Sequence, residues 1–212
     1  MSSNRIQSLY KSRFFILELL KAEKYDTNDY EGFSINEVEA MFKNNQLDIL
    51  VVKNKEKTNE KKIYIKYYLG KTLRNSLNDI IEDLFTSENG QPLLKKETDT
   101  LVIITDDDPN ETIIKNIRYK FDNEGIFIVI FNIKRLQYNV RTHSLQPIVR
   151  ILEHNEVEEL KKRLKINSLS QLPEIGRFDP LAMAIFMRPK QVYHCLRNSQ
   201  TAVEEESYRV CV

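Results

Sequence analysis

Residues 171–212 read QLPEIGRFDPLAMAIFMRPKQVYHCLRNSQTAVEEESYRVCV, a stretch dense in local folding signals. Leu172-Pro173 ends a short helix, because proline lacks the amide hydrogen that a continuing helix needs. Asp179-Pro180 opens the next one: the carboxylate can cap the free amides of the first turn, where proline is tolerated. Val192 to Leu196 and Tyr208 to Val212 are strand-length runs, expected to pair across a loop from Ser199 to Glu206. The content of this stretch is structural rather than catalytic.

Just upstream, Asn155-Glu156-Val157-Glu158 reads as the capped start of a helix carrying Leu160 and Leu164. Its Lys161-Lys162-Arg163 and Lys165 alternate with Glu156, Glu158 and Glu159, the pattern of a solvated helix face. Arg141 to Pro147 is the best linker, which divides the chain into residues 1–140, a linker at 141–147, and residues 148–212.

The first part alternates helix and strand signals. Ile6, Leu9, Tyr10, Leu17 and Leu20 recur at helical spacing, with charged Lys11, Arg13, Glu18 and Lys21 among them, so one helix face packs inward. Ser34-Ile35-Asn36-Glu37 has capping-box form and starts a second helix. Leu47 to Val52 and Ile63 to Tyr68 read as strands joined by a charged, solvated connection from Lys53 to Lys62. Leu73, Leu77, Ile80, Ile81, Leu84 and Phe85 predict a helix that ends before Asn89-Gly90-Gln91-Pro92. Leu101 to Ile104 and Ile126 to Phe131 are continuous apolar runs, hence strands covered on both faces, with a helix between them from about Glu111 to Phe121. This order predicts a layered α/β structure ending near Asn139.

Composition narrows the function. Lys and Arg number 32 against 31 Asp and Glu, so no global field draws the chain onto nucleic acid or an acidic membrane, and any DNA contact is local. Cys195 and Cys211 are the two cysteines and form no CxxC pair, which argues against a zinc site or disulfide framework and fits a reducing compartment. No signal-peptide core and no apolar run of about 18 residues is present, so a soluble, non-secreted protein is expected. Abundant Asn, Lys and Ile point to an AT-rich coding sequence.

Candidate chemistry is sparse. Asp106-Asp107-Asp108 follows a strand, where carboxylates can hold Mg²⁺, although acidic residues also favour a helix N-terminus. A restriction-type nuclease needs an acidic residue two positions before a strand lysine, yet Tyr64 precedes Lys66 and Val51 precedes Lys53. His143, His154 and His194 lack the partners of zinc ligands. Tyr64, Tyr67 and Tyr68 beside Lys62 and Lys66 suit base stacking or, more commonly, core packing. No phosphate-cradling loop or nucleophile elbow occurs. No catalytic residue, metal or cofactor is therefore assigned.

The ordered motifs Gln171-Leu172-Pro173-Glu174-Ile175, Asp179-Pro180-Leu181-Ala182, Arg188-Pro189-Lys190-Gln191-Val192, Leu196-Arg197-Asn198-Ser199 and Ser207-Tyr208-Arg209-Val210-Cys211-Val212 resemble one family. It is the fifth subunit shared by eukaryotic RNA polymerases I, II and III, RPABC1, with its shorter archaeal counterpart. The resemblance implies an N-terminal nuclease-like α/β jaw domain without nuclease activity, then a small mixed α/β assembly domain. It implies docking on the largest polymerase subunit beside other subunits, with Asp179, Arg188, Arg197, Ser199, Tyr208 and Arg209 at the interface. For Arg197 and Arg209 an ordinary surface salt bridge is the alternative. It further places Pro109, Asn110 and Thr112 near downstream double-stranded DNA, where the neighbouring aspartates would repel phosphate and make contact weak or indirect. No membrane association or homo-oligomer is implied.

Two departures matter. Lys190 stands where the family commonly has glycine; a positive φ there would cost lysine roughly 1 kcal/mol, so a locally different turn is expected. The divergent first half and the composition point to a large DNA virus, with virion and viral factory as locations, or the nucleus if the gene is cellular. A metal-dependent nuclease centred on Asp106 to Asp108, or a free-standing module binding DNA or transcription factors, are the alternative functions.

Overall fold

The computed structural model describes residues 3–53, 60–70, 72–86, 92–199 and 201–212. Most of the charged connection between the first two strands, and the Asn89-Gly90-Gln91 break, lie outside them. The chain forms two compact units, residues 1–138 and 139–212.

In the first unit, α1 (Ser3–Ala22) and α2 (Ile35–Lys43) precede β1 (Ile49–Val52), β2 (Lys62–Tyr67), α3 (Leu73–Phe85), β3 (Thr100–Thr105), α4 (Glu111–Glu124) and β4 (Phe127–Asn132). The helix and strand order is the one the periodicities predict. The sheet runs β1-β2-β3-β4, with β1 antiparallel to β2 and the other pairs parallel. Every residue of β3 and β4 is buried, as continuous apolar runs require of strands covered on both faces. Two buried or half-buried carboxylates tie the strand ends. Asp99 accepts from the Lys62 amide at 3.0 Å and the Lys95 amide at 2.8 Å, while Asp48 accepts from the Tyr67 amide at 3.0 Å.

The helix caps follow from short side chains that compete for local amides. Ser34 and Glu37 form the expected capping box, with the Ser34 amide donating to the Glu37 carboxylate at 2.7 Å. Asn110 Oδ1 accepts from the Ile113 amide at 2.9 Å and starts α4. Gly125 ends α4 at φ +71°, a conformation that costs glycine little.

The second unit contains β5 (Ile148–Ile151), α5 (His154–Leu164), β6 (Glu174–Ile175), α6 (Pro180–Ala184), β7 (Val192–Asn198) and β8 (Glu204–Cys211). Its sheet runs β5-β7-β8-β6, antiparallel except for the parallel β8–β6 pair. Period-2 alternation splits its apolar residues between two clusters. Val149, Tyr193, Cys195 and Cys211 meet Ala182 of α6, whereas Val192 and Val210 meet Leu160 of α5. The β7–β8 pair aligns Val192 with Val210, as the expected strand pair requires.

Several expectations shift. The chain stays bonded to the sheet through Leu152, whose amide donates to the Val192 carbonyl at 2.9 Å, so α5 starts at His154 behind Glu153 rather than behind Asn155. Glu156 then supports the cap by accepting from the Glu153 amide at 2.9 Å. The connection before the last strand is shorter than the expected loop, because Glu204, Glu205 and Glu206 already pair with Asn198, Arg197 and Leu196. Residues 141–147 belong to the second unit: a 3-10 turn at Val140–Thr142, begun by Asn139 accepting from the Arg141 amide, packs beside α6.

Lys190 keeps the turn that its lack of glycine argued against. Its φ is +70°, Pro189 precedes it, and the Gln191 amide closes the turn on the Arg188 carbonyl at 3.1 Å. This is the pattern of a type II turn, in which the third residue takes positive φ. The Lys190 amide also donates to the Cys211 carbonyl at 2.9 Å, so the last strand holds the strained residue in place.

Candidate functional site

The six residues assigned to an interface occupy two faces and the ends of the second sheet. Arg197 and Arg209 share the α6 face by strand alternation. Arg197 is a cross-strand partner of Glu205 and donates to it through Nε at 3.1 Å and Nη2 at 3.0 Å, with both side chains about half exposed. Arg209 is exposed, and its Nη1 reaches the Glu174 carbonyl at 3.4 Å. Asp179 accepts from the Leu181 amide at 2.9 Å, which spends one oxygen on starting α6.

Tyr208 faces the other side, toward α5. Its hydroxyl donates to Glu206 at 2.7 Å, and the Arg163 guanidinium stacks 5.3 Å from its ring centroid. The same hydroxyl accepts from Arg163. Burial is the main influence raising the Tyr208 pKa. Arg188 lies half-buried at the start of the Lys190 turn, and the Ser199 hydroxyl meets that of Thr201 at 3.3 Å. The structure therefore brings Arg197 and Arg209 to one face and does not join Tyr208 to them.

Residue patterns missed the exposed apolar side chains of this unit. Leu145 is 85% exposed and Ile148 81% exposed. Ile148 stands on β5 opposite Leu196 of β7. Leu145 falls in the 141–147 stretch read as linker, and Ile148 opens the 148–212 part in a segment for which no strand was expected. Large apolar side chains presented this openly are a usual mark of a partner surface when they cluster.

At the carboxyl ends of the parallel strands, Gly70, Thr72, Thr105, Asp106 to Asp108, Pro109 and Asn110 line a cleft of about 440 Å³. Thr112 is exposed on the first turn of α4. The three aspartates do not converge. Asp106 accepts from the Gly70 amide at 2.6 Å and pairs with Arg5 at 3.2 Å, while Asp108 pairs with Arg135 at 3.1 Å. A hard divalent cation needs several oxygens aimed at one point, and these carboxylates answer separate cations. No group of three or more His, Cys, Asp or Glu with metal-holding geometry occurs among the described residues.

Lys66 is likewise bound into structure, 3.6 Å from Asp48, which also accepts from the Tyr64 hydroxyl at 2.8 Å. The Tyr68 hydroxyl donates to Ser76 at 2.7 Å, and that of Tyr67 lies 3.5 Å from Ser12. All three phenols are part of the framework rather than a stacking platform. Cys195 and Cys211 are free and buried, and burial raises both thiols, Cys211 to about 11, so neither is a ready nucleophile.

The second unit thus falls in the class of small mixed sheets with a helix on each face, and its surface carries the Arg197–Glu205 ion pair, exposed Arg209 and the open side chains of Leu145 and Ile148. Residues 138–211 match the family described as RNA polymerase Rpb5, C-terminal domain, and this span coincides with the second compact unit. The DNA-directed RNA polymerase subunit Rpo5 of Thermococcus onnurineus is 38% identical over 76 residues, 36% of this chain and 92% of that protein. Its Archaeoglobus fulgidus counterpart is 36% identical over 77 residues and is covered completely. The subunit 5B of DNA-directed RNA polymerases IV and V of Arabidopsis thaliana is 24% identical over 215 positions, spanning the whole of this chain and 92% of the plant protein. The chain belongs to the Rpb5 family of DNA-directed RNA polymerase subunits.

Proposed function

We propose that this chain is a non-catalytic structural subunit of a DNA-directed RNA polymerase, held in the enzyme by its second unit. The observation that carries the reading is the coincidence of the family match at 138–211 with a complete folded unit at 139–212. The partner is the largest subunit, and the docking surface includes Arg197 and Arg209 on the α6 face; exposed Ile148, opposite Leu196 and so on the α5 face, forms a second contact. A surface ion pair such as Arg197–Glu205 contributes about 0–1 kcal/mol to the free chain, so exchanging Glu205 for a partner carboxylate costs the fold little.

The first unit acts as a jaw beside downstream DNA. In support, its sheet of three parallel strands and one antiparallel strand, with interleaved helices, has the layered α/β order expected of such a domain. Pro109, Asn110 and Thr112 stand at the DNA-proximal end, and the negative charge of Asp107 and Asp108 keeps their contact with phosphate indirect. The divergence of the full-length match and the Asn-, Lys- and Ile-rich composition favour a large DNA virus as source. The site of action is then the viral factory and virion; for a cellular gene it is the nucleus.

Affinity purification of the tagged full chain from its native source tests the reading. The two largest polymerase subunits should co-purify in near-stoichiometric amounts, and a stable free pool without them would overturn it. The double variant Arg197→Ala, Arg209→Ala should recover less polymerase while unfolding at nearly the same urea concentration. Unchanged recovery would remove these arginines from the interface.

A further inference from the structure

A cleft of about 370 Å³ lies in the first unit between α1 and the segment from Tyr30 to Val38. Arg13 lines it with only 4% of its surface exposed. Its Nη1 donates to the Leu47 carbonyl at 3.0 Å, whereas its Nε is buried without an acceptor. The guanidinium lies 5.8 Å from the Tyr30 ring centroid and 5.4 Å from that of Phe33. Burial lowers its pKa, opposed by the nearby phenols of Tyr67 and Tyr30.

The carboxylates lining the same cleft are committed elsewhere. Glu31 is bound by Lys21 at 3.2 Å and by the Thr27 hydroxyl, and Glu18 has its own partner. Burying a cation is costly unless an anion and acceptors accompany it, and Arg13 has one carbonyl and two ring faces. One apolar side chain opens at the cleft: Phe14 is 50% exposed, beside buried Leu17 and Val38. A buried cation with no carboxylate against it among the described residues, next to an exposed aromatic ring, suits a ligand that carries both an anion and an apolar group.

We propose that this cleft receives a segment of a partner protein in which a carboxylate lies within a few positions of an aromatic or aliphatic side chain. The carboxylate meets Arg13, and the apolar side chain covers Phe14. The site belongs to the first unit and uses none of the residues assigned to polymerase docking, so it stands or falls separately from that role.

Isotope-labelled full-length protein should be titrated with acetyl-Ala-Phe-Ala-Asp-Ala-amide, with its Asn counterpart, and with phenylacetate. The Asp peptide should shift the Arg13 side-chain Nε–H signal and the amides of Phe14 and Phe33 saturably. It should bind roughly tenfold more tightly than the Asn peptide, the discrimination expected of one charge-assisted hydrogen bond. Phe14→Ala should weaken it several-fold while leaving distant signals in place. Arg13→Gln should abolish the discrimination, and if that variant does not fold, the peptide pair and Phe14→Ala decide alone. Equal affinity of the two peptides, or saturable shifts confined to other surfaces, or no saturable shift at millimolar peptide would overturn the proposal. Phenylacetate binding as tightly as the Asp peptide would also overturn it, by making the site one for a free small carboxylate.

Discussion

Lys190 holds a left-handed backbone at φ +70°, which its Cβ makes unfavourable and which the closing bonds of the turn and the last strand enforce. Glycine at this position removes that strain but gains freedom in the unfolded chain, and the two effects partly offset. Lys190→Gly should therefore raise stability by up to about 1 kcal/mol, read as a higher urea midpoint at unchanged slope. A lower midpoint would mean that the lysine stem contributes packing which outweighs the strain. Tyr67 makes a second residue-scale case. Burial pushes its phenol up to about 12, against opposing pulls from the Ser12 hydroxyl and the Arg13 charge. A folded-state pKa raised above the usual phenol value near 10 means stability that is whole below about pH 10 and is lost as pH rises toward 12. Alkaline titration at 295 nm should show late phenol ionisation coupled to unfolding in that window, and Tyr67→Phe should make stability less steep in pH there. An identical pH profile for the variant would assign the loss to other groups.

At the scale of elements, the capping box of α2 is a local signal that the structure keeps. Ser34→Ala should cost about 1 kcal/mol in urea unfolding, because the Ser34 hydroxyl is an acceptor for the free Glu37 amide. A Thr replacement should recover most of that loss. Elements written in such local chemistry, the Ser34 and Asp179 caps and the continuous apolar runs of β3 and β4, were legible in the sequence. Elements defined by a distant partner were not. β5 has four residues and becomes a strand because β7 pairs with it, so Ile148 to Ile151, though placed in the second part, gave too short a pattern to be read as a strand. α5 begins at His154 because the sheet retains Leu152, a constraint that comes from Val192 forty residues later. Arg13 sits among charged residues of α1, and only the fold reveals that it is buried against the Leu47 carbonyl. The candidate sites follow the same division: the motif residues from Asp179 to Arg209 were readable, while their separation onto two faces and the exposure of Ile148 depend on register and packing.

For the whole molecule, the two units make different demands on the chain. The archaeal relatives correspond to little more than the second unit, with the Archaeoglobus fulgidus protein matched along its full length. That unit has clusters on both sheet faces, and its terminal strand β8 lies inside the sheet rather than at an edge. A polypeptide of residues 139–212 should therefore fold alone and unfold in one cooperative transition. Its domain is small, so stability of only a few kcal/mol is expected. If docking resides in this unit, the isolated polypeptide should compete with the full chain for the polymerase in a pull-down. Ile148→Asp then separates folding from docking: an 81% exposed side chain contributes little to the core, so the variant should keep its unfolding midpoint and lose competition. A folded 139–212 polypeptide that fails to compete would move the principal attachment to the first unit. Retained competition by Ile148→Asp would instead leave attachment in the second unit and shift its contact away from the β5 end of the sheet, toward the α6 face that carries Arg197 and Arg209.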